Sequence, residues 1–534
     1  RDVPGPTRTG SAFASFLHGQ VHNFAISFQQ DDIKERAHIQ EYFIQDDWKV
    51  TDRLTINPGL RYTLNFPSTE INGQTAVFNL QTRVLDYPGD EPVRPLKKNN
   101  FGPRFGAVYQ LTDKTILSSG YGLIWIEMAG ITTPFTTPTF PFLQEATLRT
   151  LDNISPAFIL ANGPTTAPID HTPTAGLGQG VFTVDAGLGS GYAQQWNASV
   201  QRELTTNTVV EVSYLGSKIT HVGIPDSNIN QLTEEQLSLG SALLVRVPNP
   251  YFGIITRSSS IGDPTVTRAQ LLKPYPEYTA VSFYRNNVGV TNYQGVAFSI
   301  RQRFSKGLTY SAAYTYSTLK DTASSVFDAS ILTGPLTNAA VADSHNLDRD
   351  YDYSTGDIPH YFGGSIVWDL PIGEGRGKQP GGILGMLAKD WSVAAVVTLQ
   401  SGVPVAVTQA NSLGYAGFTT QRPNLVGDPE LPADERSPSR WFNTAAFATA
   451  NQFQIGTASR NPVRGASYRD VDLAVMRLIR LGGERAIELR AEVFNLLNTA
   501  NFGAPVATLG AANFGTITTA LDPRVLQLAV KYTF

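Results

Sequence analysis

The sequence predicts an all-β protein, a transmembrane antiparallel up-and-down β-barrel of about fourteen strands with long loops outside and short turns on the periplasmic side. Three observations carry that expectation. Strand candidates alternate apolar with polar residues at a period of two. They come in pairs around tight turns, and long connections separate the pairs. The last segment alternates up to the final residue: Leu526, Leu528, Val530, Tyr532 and Phe534 are apolar, with Gln527, Lys531 and Thr533 between them.

Composition excludes the main competitors. The 534 residues carry 41 basic and 45 acidic side chains, a net charge of −4, with only 16% charged and 10% aromatic residues. No run reaches the ~18 apolar residues of a membrane-spanning helix. There is no cysteine, so disulfide scaffolds and cysteine-ligated zinc are out. A near-neutral balance without a basic stripe gives no expectation of a nucleic-acid partner. A soluble chain of this length would divide into three or four domains at roughly 150 residues each. A single barrel with long loops needs no such division.

The elements follow in order. Segment 20–30 is a first strand candidate. Pairs then run 36–49 with 53–66, 101–111 with 115–126, 192–204 with 208–220, 292–304 with 308–320, and 470–480 with 485–497. Segments 359–370, 390–403 and 523–534 complete the set. Asp, Asn, Gly and Ser supply tight-turn chemistry between most partners. The long connections are 67–100, 127–191, 221–291, 321–358, 404–467 and 498–522. In soluble domains loops beyond about 12–15 residues are uncommon, whereas a membrane barrel concentrates them at its outer end. The Gly- and Pro-rich stretch 371–389 is the long exception on the turn side. No fixed-period repeat points to a propeller or solenoid.

Alternation also assigns faces. In 485–497, Ile487, Leu489, Ala491 and Val493 oppose Glu488, Arg490 and Glu492. In 292–304, Val296, Phe298, Ile300 and Phe304 oppose Ser299, Arg301 and Arg303. Arg61 and Arg104 fall on the polar side of their strands. An unpaired charge is costly in hydrocarbon, so these seven charges are the lumen-facing candidates. Aromatic residues gather at strand ends, with Trp48, Phe304, Trp368, Trp391, Tyr532 and Phe534 at the turns, and Phe66, Trp125, Trp196 and Tyr316 at the loops. Tyr and Trp favour both membrane interfaces. Pro58 removes a ladder hydrogen bond and predicts a bulge. Segment 36–49 assigns cleanly to neither face.

The segments Gln45-Asp46-Asp47-Trp48-Lys49-Val50-Thr51 and Leu54-Thr55-Ile56-Asn57-Pro58-Gly59-Leu60-Arg61-Tyr62 resemble TonB-dependent outer-membrane receptors. Their nearest likeness is the Oar-like group, whose chains carry an N-terminal carboxypeptidase-regulatory-like domain. Pro103-Arg104-Phe105-Gly106, Gln194-Gln195-Trp196-Asn197, Val367-Trp368-Asp369-Leu370-Pro371, Trp441-Phe442-Asn443, Arg490-Ala491-Glu492-Val493-Phe494-Asn495 and Asn513-Phe514-Gly515 extend the resemblance in order along the chain. It implies a barrel of about 22 strands, a plug inside it, and a TonB system as energy source. The chain is then expected to be the C-terminal barrel portion (1–534), without plug or regulatory-like domain. The strand ending in Leu528, Val530, Tyr532 and Phe534 resembles the signal read by the barrel-assembly machinery. Outer-membrane lipid is the other expected partner.

Site chemistry is sparse. The seven histidines are scattered, and His18 and His22 lack the glutamate of a zincin. Gly373-Glu374-Gly375-Arg376-Gly377-Lys378 is followed by Gln379 and is no phosphate loop. Asp348, Asp350 and Asp352 imitate the start of a calcium loop, but Tyr353 replaces its glycine and no glutamate closes it, which favours a solvated loop. No catalytic residue, metal or cofactor is expected. The reading is an uptake receptor for a solute caught by outer loops, with a passive pore or surface adhesin as alternative.

Overall fold

In the computed structural model, the described residues form one large sheet of fifteen strands, thirteen of which make a path where each pairs with the next along the chain. The short Trp48–Thr51 and Asp352–Tyr353 pair beside that path. The described residues are 12–126, 140–150, 155–164, 170–187, 189–255, 261–284, 286–323, 341–373, 376–377, 382, 387–482 and 484–534. The strands are β1 Glu35–Gln45, β2 Leu54–Glu70, β3 Phe101–Thr112, β4 Thr115–Ile126 and β5 Gly191–Thr205. β6 is Thr208–Val222, β7 Gly289–Ser305, β8 Leu308–Asp321 and β9 His360–Asp369. β10 is Trp391–Gln400, β11 Tyr468–Gly482, β12 Arg485–Phe494 and β13 Val525–Thr533. Every neighbouring pair is antiparallel. Among the described residues no helix is long and apolar enough to cross a membrane. The strands, at 9 to 17 residues, match or exceed the span a tilted transmembrane strand needs.

Two expectations are corrected. Segment 20–30 is not a strand of the large sheet: Asn23–Gln29 pairs with Leu143–Arg149, inside the first loops. Pro58 makes no bulge, because β2 keeps its register with β3 through Pro58↔Phe105. The irregularity sits on the partner instead. β1 stops at Gln45, Asp46 donates its N–H to the Pro58 carbonyl at 3.0 Å, and pairing resumes at Trp48–Thr51. The missing proline N–H is absorbed where the partner strand is already broken. That break, with a register shift between Arg36 and His38, explains why 36–49 fits neither face.

Side-chain alternation separates the sheet's faces across every strand. On one face Phe105 lies opposite Tyr121, and Val200, Val212, Phe298 and Tyr314 form a row over four strands. Phe105 and Phe298 remain about half exposed, so this apolar row has no protein covering it. One position fixes the packing there. Trp196 lies directly opposite Gly216, and a Cβ at Gly216 would overlap the indole. At the turn end, the β7–β8 hairpin closes through Lys306 (φ 51°) and Gly307 (φ 81°), the backbone of a type I′ turn.

The molecule's hydrophobic cores lie in the long connections. Phe78, Leu85, Val181, Tyr278 and Val281 join connections 71–100, 127–190 and 223–288. Leu232, Leu237, Leu243 and Ala269 pack on Leu413, Phe418 and Ile455 of connection 401–467. Val407, Phe442 and Phe447 pack with Phe514 of connection 495–524. Buried amides replace regular ladders in these segments, as buried backbone groups require. Asn230 donates to the carbonyls of Tyr275 and Tyr278 and accepts from Tyr275 N–H at 2.8 Å. Gln421 donates to Asn451 O at 2.8 Å and Gln454 O at 2.7 Å while accepting from Ser412 N–H. The loops form a folded cap over one end of the sheet.

Candidate functional site

The ladder register traces one continuous polar face. Gly59, two residues from Arg61, lies opposite Arg104, which lies opposite Gly122, and the row continues through Gln195, Ser217 and Tyr293. Arg301 and, by alternation, Arg303 share that face. So do Glu488, Arg490 and Glu492, which lie opposite Leu478, Met476 and Ala474 of β11, the last two continuing the row to Ser392 and Ala394 of β10. The structure therefore sets all seven charged residues of the sequence analysis on a single face, but gathers only some of them.

Local environments differ. Arg61 Nη1 donates to Glu41 Oε2 at 2.8 Å, and its guanidinium lies 5.9 Å from the Phe43 ring centroid. Glu41 also accepts from Thr63 Oγ1 at 3.2 Å. Glu488, Arg490 and Glu492 form a chain, with contacts of 2.7 and 3.6 Å. Arg104 Nε is buried without a hydrogen-bond partner among the described residues. Arg301 and Arg303 border a recess of about 500 Å³ shared with Lys114, Glu203 and Glu211. Glu41 escaped the sequence reading because it lies in the segment with no clean alternation. Glu203 and Glu211 alternate as regularly as the arginines, and that signal was available.

A second, acidic hollow of about 530 Å³ lies where sheet meets cap, lined by Asp470, Asp472, Asn501 and Asp522. Tyr468 donates to Asp470 at 3.2 Å, and Asp472 accepts Asn495 N–H at 2.9 Å.

The aspartates 348–357 form neither a calcium clip nor a solvated loop. Leu347–Asp350 is a 3-10 turn, and Asp352–Tyr353 adds to the edge of β8 at Lys320 and Asp321. The carboxylates diverge. Asp348 is exposed; Asp350 is buried against Arg422 and takes Ala342 N–H at 3.1 Å; Asp352 takes Asn461 N–H at 2.9 Å. Asp357, fully buried, accepts Leu319 N–H at 2.6 Å and pairs with Arg464 at 2.5 Å. Arg460 pairs with Asp321. Three arginines of connection 401–467 thus hold three aspartates at the end of β8 and in connection 322–359. Among the described residues no group of three His, Asp or Glu could hold a metal ion.

Burial shapes the cap's ionisation. It pushes the Asp350 carboxyl up against the pull of Arg422. It also lowers the Lys273 ammonium to about 8, with the side chain 7% exposed and no ion pair in reach among the described residues. Tyr278 is raised by burial and then by Glu277, and its hydroxyl donates to the Arg83 carbonyl at 2.6 Å.

A family model described as the outer membrane beta barrel domain matches residues 3–527. No curated protein matches the chain. Among solved structures, it is similar to the outer membrane transporter YddB from Escherichia coli: 11% identity, TM-score 0.42, 92% of this chain and 45% of that one. It is similar to the pyoverdine outer membrane receptor FpvA from Pseudomonas aeruginosa PAO1, at 11% identity and TM-score 0.41, over 94% and 43%. The FrpB iron transporter from Neisseria meningitidis gives 12% identity and TM-score 0.39, over 92% and 44%. The chain spans less than half the length of each.

Proposed function

The chain belongs to the outer membrane beta barrel domain family, and on that premise we propose that it is the wall and outer mouth of a TonB-dependent uptake receptor of the Oar-like group. Outer-membrane location accompanies the family. The observation that carries the reading is the division of labour in the fold. One sheet face is a charged wall, the other an uncovered apolar surface, and the long connections fold together at one end. In a membrane barrel the apolar face meets lipid and the charged face lines the lumen.

In this reading Arg61, Arg104, Arg301, Arg303, Glu488, Arg490 and Glu492 keep the lumen wall wet and meet whatever fills or crosses it. Both signs occur, so the wall sets no simple preference for anions or cations. Paired groups such as Arg61–Glu41 stiffen the wall, while the recess at Arg301 and Arg303 offers charges to a plug or a passing solute. The cap selects the solute. Its surface is preorganised by packed cores and buried ion pairs, which lowers the ordering cost of binding. Leu528, Val530, Tyr532 and Phe534 serve the barrel-assembly machinery. The plug and regulatory-like domain belong to the longer receptor.

The experiment is solute accumulation in cells carrying the complete gene, with and without a protonophore. Import that collapses with the proton-motive force supports energised uptake. Import insensitive to it, with steady conductance of the purified protein in planar bilayers, favours the passive pore. Surface binding without entry favours the adhesin.

A further inference from the structure

We propose that Gln194, Lys218, Asn292 and Lys320 form a binding row for the anionic phosphate headgroup of an outer-leaflet lipid, on the outside of the wall. The inference rests on the reading above that the apolar face meets lipid. The four residues lie directly opposite one another on β5, β6, β7 and β8, at the cap end of that face. Leu123 and Tyr353 end the row, so it contains no carboxylate.

Its hydrogen bonding leaves donors and no free acceptor. Tyr121 donates its hydroxyl to Gln194 Oε1 at 3.2 Å, which turns the Gln194 amide N–H2 outward. Tyr214 donates to Gln294 Oε1, and Gln294 Nε2 donates to Asn292 Oδ1 at 3.0 Å, which does the same for Asn292. Lys218 is exposed, and Lys320 Nζ rests 4.7 Å from the Tyr353 ring centroid. Among the described residues neither lysine has an ion pair. Asp321, next to Lys320, points the other way and pairs with Arg460, while Asp352 accepts Asn461 N–H. At a strand spacing of about 4.8 Å the two lysines stand about 10 Å apart, close enough for their flexible stems to converge on one phosphate.

Depth selects a lipid as the source of that phosphate. On β7, 12 residues separate Asn292 from Phe304 at the turn. They cover about 40 Å of strand, or about 28 Å of depth at a tilt of roughly 45°, close to the thickness of the hydrocarbon core. The row therefore falls at headgroup level, above the belt of Tyr121, Trp196 and Tyr214. Below it on the same face, Ala107, Leu117, Ala198, Val212, Tyr214 and Val296 line a furrow of about 450 Å³. A lipid with its phosphate on the row can lay a chain there.

The test is native mass spectrometry of the complete protein in detergent, offered equal amounts of dioleoyl phosphatidic acid and dioleoyl phosphatidylcholine. Retention should favour phosphatidic acid. Lys218→Gln with Lys320→Gln should lower that preference about thirtyfold at low salt, at roughly fivefold per lysine. Lys218→Arg with Lys320→Arg should keep it. Lys531→Gln, opposite Glu488 on the other face, should leave it unchanged. Asn292→Asp keeps the shape of the side chain and should abolish the preference by setting a carboxylate between the lysines. No preference, or one that survives the Gln pair or Asn292→Asp, overturns the proposal. Displacement of the lipid by excess inorganic phosphate also overturns it, since free phosphate would then be the ligand. Quenching of Trp196 fluorescence by phosphatidylcholine with brominated chains, measured against Trp196→Phe, separates the two readings. Absent quenching removes the lipid-facing assignment itself, whereas quenching without headgroup preference removes only the phosphate row.

Discussion

Arg422 and Asp350 form a buried ion pair that ties connection 401–467 to connection 322–359. Both are nearly inaccessible, at 9% and 1% exposure. Arg422 also donates Nη1 to the Arg349 carbonyl at 2.8 Å, so the guanidinium holds backbone and carboxylate of one turn together. With Arg460–Asp321 and Arg464–Asp357 it makes connection 401–467 inseparable from the end of β8.

Removing one partner strands the other. Arg422→Met is expected to destabilise the cap by about 3–5 kcal/mol, because a buried carboxylate loses its counter-charge. Arg422→Met with Asp350→Leu should recover much of that loss, since neither charge then needs solvation. Hydrogen exchange of segment 341–352 reports both. A neutral single variant, or a double variant as weak as the single, would contradict the pair's assigned role.

Lys273 makes the cap's stability depend on pH. Its ammonium is lowered by burial from 10.5 to about 8. Below about pH 8 both folded and unfolded chains hold the proton, and the folded state bears the whole cost of burying the charge. Between about 8 and 10.5 only the unfolded chain holds it, so this contribution to stability rises with pH. Above 10.5 the cost is gone. Lys273→Met should stabilise the cap at pH 7 by at most about 3 kcal/mol and flatten the rise. Parallel wild-type and Lys273→Met unfolding curves from pH 7 to 10.5 would refute this.

The barrel strands were legible in the sequence because their physics is local. Period-two alternation in 485–497 and 292–304 states the face of each residue, and Lys306-Gly307 states the turn. Segment 20–30 alternates equally well, yet its partner is Leu143–Arg149, and alternation carries no information about partner choice. The cap was read only as long loops. Its order rests on contacts such as Arg460 with Asp321, 139 residues apart, and Asn228 with Gly417, 189 apart. Asp348-x-Asp350-x-Asp352 suggested a shared ligand because spacing was visible and the arginines opposite were not.

Gly216 tests the packing of the apolar face. Any side chain there must displace Trp196, its direct cross-strand partner. Gly216→Val is expected to cost about 1–3 kcal/mol through overpacking, despite the better strand propensity of valine. Gly216→Val with Trp196→Ala should relieve the clash. Heat-induced unfolding in detergent compares the three proteins, and a fully stable Gly216→Val would show that the indole lies elsewhere.

Register on the last strand can be tested with one introduced residue at two positions. Val530 lies opposite Leu489 on the apolar face, and Gln527 lies opposite Glu492 on the polar face. Arginine at position 530 must place its guanidinium against lipid, at a cost between the about 2–4 kcal/mol of the bilayer midplane and the about 0–1 kcal/mol of its interfaces. Arginine at position 527 meets a carboxylate across the ladder and is expected to be close to neutral. Val530→Arg should therefore lower the folded yield in outer-membrane fractions while Gln527→Arg leaves it unchanged. Equal losses, or the reverse order, would mean that β13 is paired one residue out of step, which exchanges the two faces of the whole strand.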